Sequence, residues 1–548
     1  MKKIVVIGGV AGGMSFAARM RRLDETAEIT VIEKSGFVSY ANCGLPYYIG
    51  GVIENEKSLL LQTPQSLWKR FRLDVRVGSE VLRIDADAKQ VDVINHASGE
   101  EYSLTYDFLV LSPGAAPIRP DLPGIERSLS LRNVEDVQRL FDVVSNKPKS
   151  AVVVGGGFIG VEMAENLQRR GIPTSIVEAQ DQVLMPLDTE MVTFVHAEIK
   201  KHRVELYLGS ALASISPTSV ILANGVEIDA ELVVMAIGVR PEVSLAKLAG
   251  LVIGERGGVK VDEFNRTSNQ FIYAVGDAVE KVDAVDHNAA LVPLANIANR
   301  HGRVIADHIA GKTVRPVETQ GTAIVKVFDL TVATSGWNEK KLIAAGLEYI
   351  AIHTHPASHA GYYPGAQVMA LKLLIDPKTQ RILGVQGVGK EGVDKRIDVI
   401  ATAMRGGITA PELADLELAY APPFGSAKDP VNMLGYISEN VLSGITPTVQ
   451  WSEVEQKVSE GYTILDVRSS GEVDQGTLPG AINLPIDEIR EHNEEIPKGK
   501  ILVTCQVGQR GHAATRLLRE LGHDAVNLDG GYMTWSNSPA NKKEKVGK

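Results

Sequence analysis

Cysteine is nearly absent. The 548 residues hold two, Cys43 and Cys505. Two cysteines cannot build a disulfide framework, and a free reactive thiol survives best in a reducing compartment, so the cytoplasm is the expected location. An excess of positive charge is missing too: 57 Lys and Arg stand against 67 Asp and Glu, a net charge of -10. That balance argues against nucleic acid or an anionic membrane as the main partner. Nor does any stretch reach the roughly 18 apolar residues a membrane span requires. The opening MKKIVVIGGVAGG has the lysines and apolar run of a signal peptide, but its glycines suit a strand and a phosphate-binding turn. What the chain has in quantity is glycine, 52 residues, and 44% hydrophobic residues, enough for three or four domains with ample cores. The closing NKKEKVGK reads as a solvated tail.

One nucleotide-binding pattern occurs twice. Residues 3–7 read as a buried parallel strand, Gly8-Gly9-Val10-Ala11-Gly12-Gly13 as a tight turn and residues 15–23 as a helix. A second strand, residues 28–32, then ends at Glu33. Glycines let the backbone approach a pyrophosphate, the helix N-terminus supplies N–H groups and positive dipole, and the acid accepts from a ribose. Val10 takes the place of the usual middle glycine. The second copy is complete: residues 151–154 form the strand, Gly155, Gly157 and Gly160 the turn, and Glu178 closes the next strand. Glu178 would accept from a 2′-hydroxyl and repel a 2′-phosphate, and the following Ala179-Gln180-Asp181 offers no arginine clamp, so NADH is favoured over NADPH.

Alternating strands and helices continue to about residue 318, as in doubly wound sheets. Residues 321–374 are richer in β-branched runs, such as AIVKVFDLTVATSG, and a helix follows around Val399, giving a third, α+β unit. Residues 442–449 (LSGITPTV) break the pattern and are the candidate linker. A small α/β domain around Cys505 completes the chain.

Both cysteines stand in settings suited to thiol chemistry. Cys43 lies in SYANCGLPYYIGG before an expected helix whose N-terminus would lower the thiol pKa. A lone cysteine is more often a small buried hydrophobe; here no second cysteine is near in sequence, so the partner sulfur of a redox cycle must come from outside, as a mixed disulfide with a substrate thiol. Cys505 opens Cys-x4-Arg, ending at Arg510, ahead of a helix. Such a loop turns its N–H groups toward the sulfur, a nest for a thiolate or persulfide anion. Phosphatases use a loop one residue longer; the short loop favours sulfane sulfur. His353, His355 and His359 invite a metal reading, but the first two alternate on a strand and no cysteine or carboxylate is expected to join them, so no metal is assigned.

These motifs carry a resemblance. Residues 1 to about 445 resemble the flavin-dependent pyridine nucleotide-disulfide oxidoreductases. SYANCGLPYY and YAPPFGSAKDPVN are most similar to the single-cysteine branch of coenzyme A disulfide reductases. Residues 450–536, with LDVR, LPGAINLP and LDGGYMTW, resemble a rhodanese domain, Thr477 standing where that family often has histidine. The fusion resembles the NADH-dependent coenzyme A persulfide reductases.

The resemblance implies nested Rossmann-like FAD and NAD domains (1–115 with 245–318, and 116–244), an α+β dimerisation domain (319–445) that makes a homodimer, and a rhodanese-like α/β domain (450–540). FAD would meet Gly8, Ala11, Gly12, Gly13, Glu33, Lys34, Val81, Ser112, Gly114, Gly276, Asp277 and Ala295. NADH would meet Gly155, Gly157, Ile159, Gly160, Glu162, Glu178 and Gly238. Coenzyme A would meet Ser15, Arg19, Arg22, Ser39, Asn42 and Lys428. Arg19 and Arg22, three apart, share one helix face, which suits surface charges equally well. No histidine-glutamate pair stands in the family's usual place; Tyr362 and Tyr420 resemble the pair that substitutes, with Tyr363 leaving the register open. The reaction implied is NADH-driven reduction of coenzyme A persulfide, polysulfide or coenzyme A disulfide at Cys43, with sulfane sulfur carried by Cys505 and hydrogen sulfide or free thiol released. Two alternatives are a peroxide- or oxygen-reducing flavoprotein with a Cys43 sulfenic acid, and a redox sensor or scaffold with a non-catalytic rhodanese domain.

Overall fold

A computed structural model describes residues 1–542; the last six residues of the expected solvated tail lie outside the described residues. The chain divides into two compact units, residues 1–183 with 202–321, and residues 184–201 with 322–548.

The first unit contains two five-stranded sheets of like topology. One runs Ile272–Ala274, Phe108–Leu111, Lys3–Ile7, Glu28–Ile32, Asp74–Arg76, with every neighbour parallel. The other runs Glu205–Leu208, Thr174–Glu178, Ala151–Val154, Leu232–Met235, Leu129–Ser130, again parallel. Such strands are covered on both faces, which is why residues 4–7, after the exposed Lys3, and Ala151–Val154 read as unbroken apolar runs. A three-stranded antiparallel sheet carries Ser79–Asp85 with Val81 buried. The helix after the first strand spans Ala11–Leu23, one turn earlier than the glycines suggested. Gly12 and Gly13 lie within this helix, where the packing leaves no space for a side chain: a Cβ on Gly13 would stand 2.0 Å from the Gly8 carbonyl oxygen. The same helix lies against Ala295–Ile309, where a Cβ on Gly302 would meet the Gly12 oxygen at 2.5 Å.

The second unit joins an antiparallel sheet to a parallel one. The antiparallel sheet runs Ala323–Val327, Leu330–Gly336, Ile382–Gly389, Met369–Ile375, Ile350–Thr354, and its core includes Leu371, Val385, Ile397, Ile400 and Leu434. The parallel sheet runs Thr448–Val449, Asp524–Leu528, Lys500–Thr504, Tyr462–Asp466, Ile482–Asn483. The break between them is short: the helix Pro430–Leu442 ends six residues before Thr448. The helix Thr189–Lys201 also groups with this unit. Among the described residues no helix is long and apolar enough to cross a membrane.

Candidate active sites

The first glycine turn is pressed so tightly that only glycine fits. Gly8 has φ +101, and a Cβ there would lie 2.1 Å from the Ser112 oxygen. Ser112 Oγ in turn accepts from the Gly13 N–H at 3.0 Å. Glu33 closes the second strand, its carboxylate accepting from Gly9 N at 2.6 Å and Ser35 N at 2.8 Å. Burial pushes the Glu33 carboxyl up despite these two amides. Lys34 reaches Glu80 at 2.7 Å. Gly114 and Gly276 are both left-handed, at φ +73 and +77, and Ala295 starts the helix packed on the first one.

Asp277 is the informative residue of this cradle. Burial raises its pKa and Lys281 offsets part of the rise. Its Oδ1 atom is buried with no hydrogen-bond partner among the described residues. An unsatisfied buried carboxylate oxygen costs free energy of order 1–3 kcal/mol; a polyhydroxyl chain laid along the turn would remove that cost, so the residues present fit the ribityl part of a flavin nucleotide. Lys281 and His301, not singled out from the sequence, complete the surroundings. Lys281 donates to the Gly276 and Val279 carbonyls at 2.8 and 3.1 Å, and burial pushes it down to about 8. Burial, then the Lys281 and Arg300 charges, push His301 down to about 3.

The second turn repeats the first. A Cβ on Gly160 would stand 1.9 Å from the Gly155 oxygen, while one on Gly157, at the start of Phe158–Arg169, would meet nothing within 4 Å. The turn is closed behind and open in front, with Ile159 exposed beside it. Glu178 accepts from Gly156 N at 2.6 Å and Gln180 N at 2.8 Å. Gly238, φ +123, directly precedes the short strand Val239–Pro241. Glu162, on the helix, accepts from the Tyr47 hydroxyl at 3.0 Å; burial raises the Glu162 carboxyl and, with Glu162, the Tyr47 phenol.

Cys43 is solvent-exposed, on a short turn Asn42–Gly44 ahead of the five-residue helix Leu45–Ile49. The helix was expected to lower the thiol pKa. It does not prevail: desolvation by the surrounding protein raises it, and the Glu162 and Asp277 carboxylates raise it further. Among the residues assigned to coenzyme A by resemblance, Ser15 donates to Asn299 Oδ1 at 2.7 Å and Arg19 donates twice to Asp307, at 2.9 and 2.7 Å. Arg22 is exposed with its guanidinium 6.0 Å from the Phe71 ring centre. Ser39 takes φ 51 and Asn42 is exposed. Lys428 belongs to the second unit, 5.9 Å from the Tyr436 ring centre.

In the second unit Tyr362 and Tyr420 meet hydroxyl to hydroxyl at 3.0 Å, although 76% and 47% exposed. Tyr363 instead packs its ring edge-on to His359. The geometry therefore joins Tyr420 to Tyr362 rather than to its neighbour.

Cys505 follows the strand Lys500–Thr504 and is fully buried. The Gly508 N–H points at its sulfur from 3.2 Å, one donor of the expected nest. Arg510 donates to Glu472 at 2.8 and 2.6 Å, and that pair holds the Glu472 carboxyl down at about 2; the Cys505 sulfur contributes to the electrostatics of Arg510 as well. Glu472 was missed from the sequence, although Ser469 three residues before it forms a capping box that was there to be read. Arg468 forks onto Asp466, reaches Gln506 at 3.0 Å and stacks 4.4 Å from the Tyr532 ring centre. Thr477 donates to the same Asp466 at 2.6 Å.

Of the three histidines, His353 lies between Asp529 at 2.7 Å and Glu190 at 2.9 Å. Against the cost of burial, these partners push it up to about 9. His355 meets Thr534 Oγ1 at 2.7 Å and burial pushes it down to about 3; His359 meets the Ala360 carbonyl.

Residues 2–302 match the family model of pyridine nucleotide-disulphide oxidoreductases, residues 322–430 the dimerisation domain of that family, and residues 450–538 the rhodanese-like domain. The chain belongs to the pyridine nucleotide-disulphide oxidoreductase family. It is an enzyme of disulfide or persulfide reduction with a C-terminal rhodanese domain, in a family that uses FAD and NAD(H). It is 35% identical over 438 residues to the coenzyme A disulfide reductase of Staphylococcus haemolyticus, covering 80% of this chain and 99% of that one. Reduced Bacillus anthracis CoADR-RHD superposes with a TM-score of 0.96 at 48% identity, covering 98% of each chain. A NAD-dependent persulfide reductase from A. fulgidus gives a TM-score of 0.92 at 37% identity, over 97% of this chain and 100% of that one.

Proposed function

We propose that this enzyme uses NADH to reduce sulfur-sulfur bonds of coenzyme A persulfide, polysulfide or coenzyme A disulfide through Cys43, while Cys505 carries sulfane sulfur. The balance is NADH + H⁺ + RS–SR giving NAD⁺ + 2 RSH, or NADH + H⁺ + RS–SH giving NAD⁺ + RSH + H₂S. One observation carries the reading: Cys43 is exposed and the other cysteine of the chain is buried in a different unit, so the sulfur that pairs with Cys43 comes from a substrate. The names of the relatives support coenzyme A and persulfide as that substrate class.

The roles follow from the sites. Gly8, Ala11, Gly12, Gly13, Glu33, Lys34, Val81, Ser112, Gly114, Gly276, Asp277 and Ala295 would hold FAD, which when bound supplies a two-electron carrier between nicotinamide and sulfur. Gly155, Gly157, Ile159 and Gly160 would take the dinucleotide phosphates, Glu178 its adenosine ribose, and Glu162 and Gly238 would border the nicotinamide. Ser15, Arg19, Arg22, Ser39 and Asn42 would bind coenzyme A, with Lys428 assigned by resemblance alone. Cys43 forms the mixed disulfide. Tyr362 and Tyr420, sharing one hydrogen bond, hold a proton for the departing thiolate in a homodimer made through residues 319–445. The FAD domain would be 1–115 with 245–318, the NAD domain 116–244 and the rhodanese domain 450–540. The cytoplasm suits two free thiols.

The test is the mass of the adduct on Cys43 as purified, followed by NADH oxidation with coenzyme A persulfide, coenzyme A disulfide, polysulfide and peroxide. A coenzyme A adduct and turnover with the sulfur substrates are expected. A bare or oxidised Cys43 with turnover on peroxide alone would overturn the reading.

A further inference from the structure

The loop that holds Cys505 rests on a corner fastened from outside the rhodanese fold. Asp529 directly follows the strand Asp524–Leu528 and precedes Gly530 and Gly531, both left-handed at φ +64 and +60. This corner is the floor of the loop: a Cβ on Gly531 would stand 2.4 Å from the Cys505 oxygen and 2.7 Å from the Gly508 nitrogen. The next two amides donate into the loop, Tyr532 N to the Cys505 carbonyl at 2.7 Å and Met533 N to the Gln506 carbonyl at 2.9 Å. The peptide units that these bonds orient lead directly to Gly508, whose N–H faces the sulfur.

The corner in turn is held by His353, on the strand Ile350–Thr354 of the antiparallel sheet. Its backbone N–H and its Nδ1 both meet Asp529 Oδ2, at 2.9 and 2.7 Å, and Gln450 adds a contact at 3.3 Å. On its far side Nε2 meets Glu190 Oε1 at 2.9 Å. The three side chains of the His353, Asp529 and Glu190 chain are 1%, 4% and 2% exposed, so water does not compete. A ring with a carboxylate on each nitrogen is a cation donating twice, and charge-assisted bonds of this kind are the strong ones. Backing is close as well: a Cβ on Gly530 would stand 2.7 Å from His353 Cβ.

We propose that His353 is a positioning residue for sulfur transfer, holding the Asp529–Gly531 corner in the register that turns the loop amides toward the Cys505 sulfur. The proposal rests on the reading of Cys505 as the sulfur-carrying thiol. The experiment uses the full-length flavoprotein. Sulfur transfer from thiosulfate to cyanide is measured for wild type, His353→Gln and Asp529→Asn. The rate of Cys505 alkylation by iodoacetamide at fixed pH is measured in a Cys43→Ser background. Both variants should lose about tenfold in kcat with KM little changed, and Cys505 should alkylate more slowly. NADH-dependent reduction of coenzyme A disulfide at Cys43 should stay within twofold. If His353→Gln fails to fold, Asp529→Asn, of the same shape, carries the test. Unchanged kcat and alkylation with only a lower melting temperature would overturn the proposal and leave His353 a structural residue. A wild type that transfers no sulfur at all, while still reducing coenzyme A disulfide, would instead remove the reading of Cys505, and the proposal with it.

Discussion

Glu178 accepts a 2.6 Å hydrogen bond from the Gly156 amide, and its other oxygen takes the Gln180 amide. Both oxygens are fixed by backbone donors with lone pairs to spare, so the carboxylate is aimed before any nucleotide arrives. A ribose 2′-hydroxyl can donate to it; a 2′-phosphate meets a held negative charge. NADH should exceed NADPH in kcat/KM by at least about tenfold, worth about 1.4 kcal/mol, and Glu178→Gln should narrow the gap. Steady-state kinetics with both nucleotides check this, and equal efficiency in the wild type would refute it.

Cys43→Ser should abolish disulfide and persulfide reduction, since no mixed disulfide can form, while FAD stays bound and reducible by NADH. The exposed thiol is raised by desolvation from the protein around it and then by Glu162 and Asp277. Removing one of those charges favours the thiolate. Glu162→Gln should therefore shift the pH profile of Cys43 alkylation to lower pH, measured by rapid alkylation across pH. A shift to higher pH, or none, would contradict the electrostatic account.

Arg510 is clasped by Glu472 whereas Cys505 is the sulfur carrier of the proposed reaction, so the two loop residues should differ in weight. Cys505→Ser should sharply lower NADH oxidation with polysulfide and matter much less for a small substrate that reaches Cys43 directly. Arg510→Ala should only reduce the polysulfide rate. Assays of both variants on both substrates decide this. Equal and complete loss in the two would mean that Arg510 acts on the sulfur after all.

His353 makes stability depend on pH in a stated direction. Its folded value is raised from 6.5 to about 9, so its contribution is complete below about pH 6.5 and is lost as the pH rises through about 9. Urea midpoints should fall over that window in the wild type and fall less in His353→Gln. Nearby Lys372, fully buried, faces Asp188, Glu190 and Glu339. Lys372→Met leaves those carboxylates without their cation and should cost about 3–5 kcal/mol, read from the same denaturation curves.

The parallel strands were legible because burial on both faces writes itself as β-branched runs, ended by glycine after residues 7 and 154 and by an acid after residue 32; residues 3–7, 28–32 and 151–154 coincide with the strands observed. The turn glycines were legible for the same local reason. What escaped was everything set by residues distant in sequence. The environment of Cys43 was misjudged because Glu162 and Asp277, which govern its thiol, lie far along the chain, while the helix beside it has five residues. The clasp on Arg510 escaped because its partner Glu472 stands 38 positions upstream. The expectation that no carboxylate joins His353 failed, since Glu190 and Asp529 are 163 and 176 positions away.

The helix Thr189–Lys201 is made early and finished late. It is translated between strands of the second parallel sheet, yet it groups with residues from 322 onward. Its buried face, with Met191, Val192, Val195 and Ile199, therefore waits for partners not yet synthesised when it leaves the ribosome. At about 5–20 residues per second that wait is on the order of ten seconds to a minute. During that interval a nascent chain carries an uncovered apolar stripe while the strands Leu232–Met235 and Ile272–Ala274 of the two parallel sheets are themselves still being made. The chain is in this sense stitched: a single thread passes into a region that does not yet exist, and chaperone demand should peak in that window.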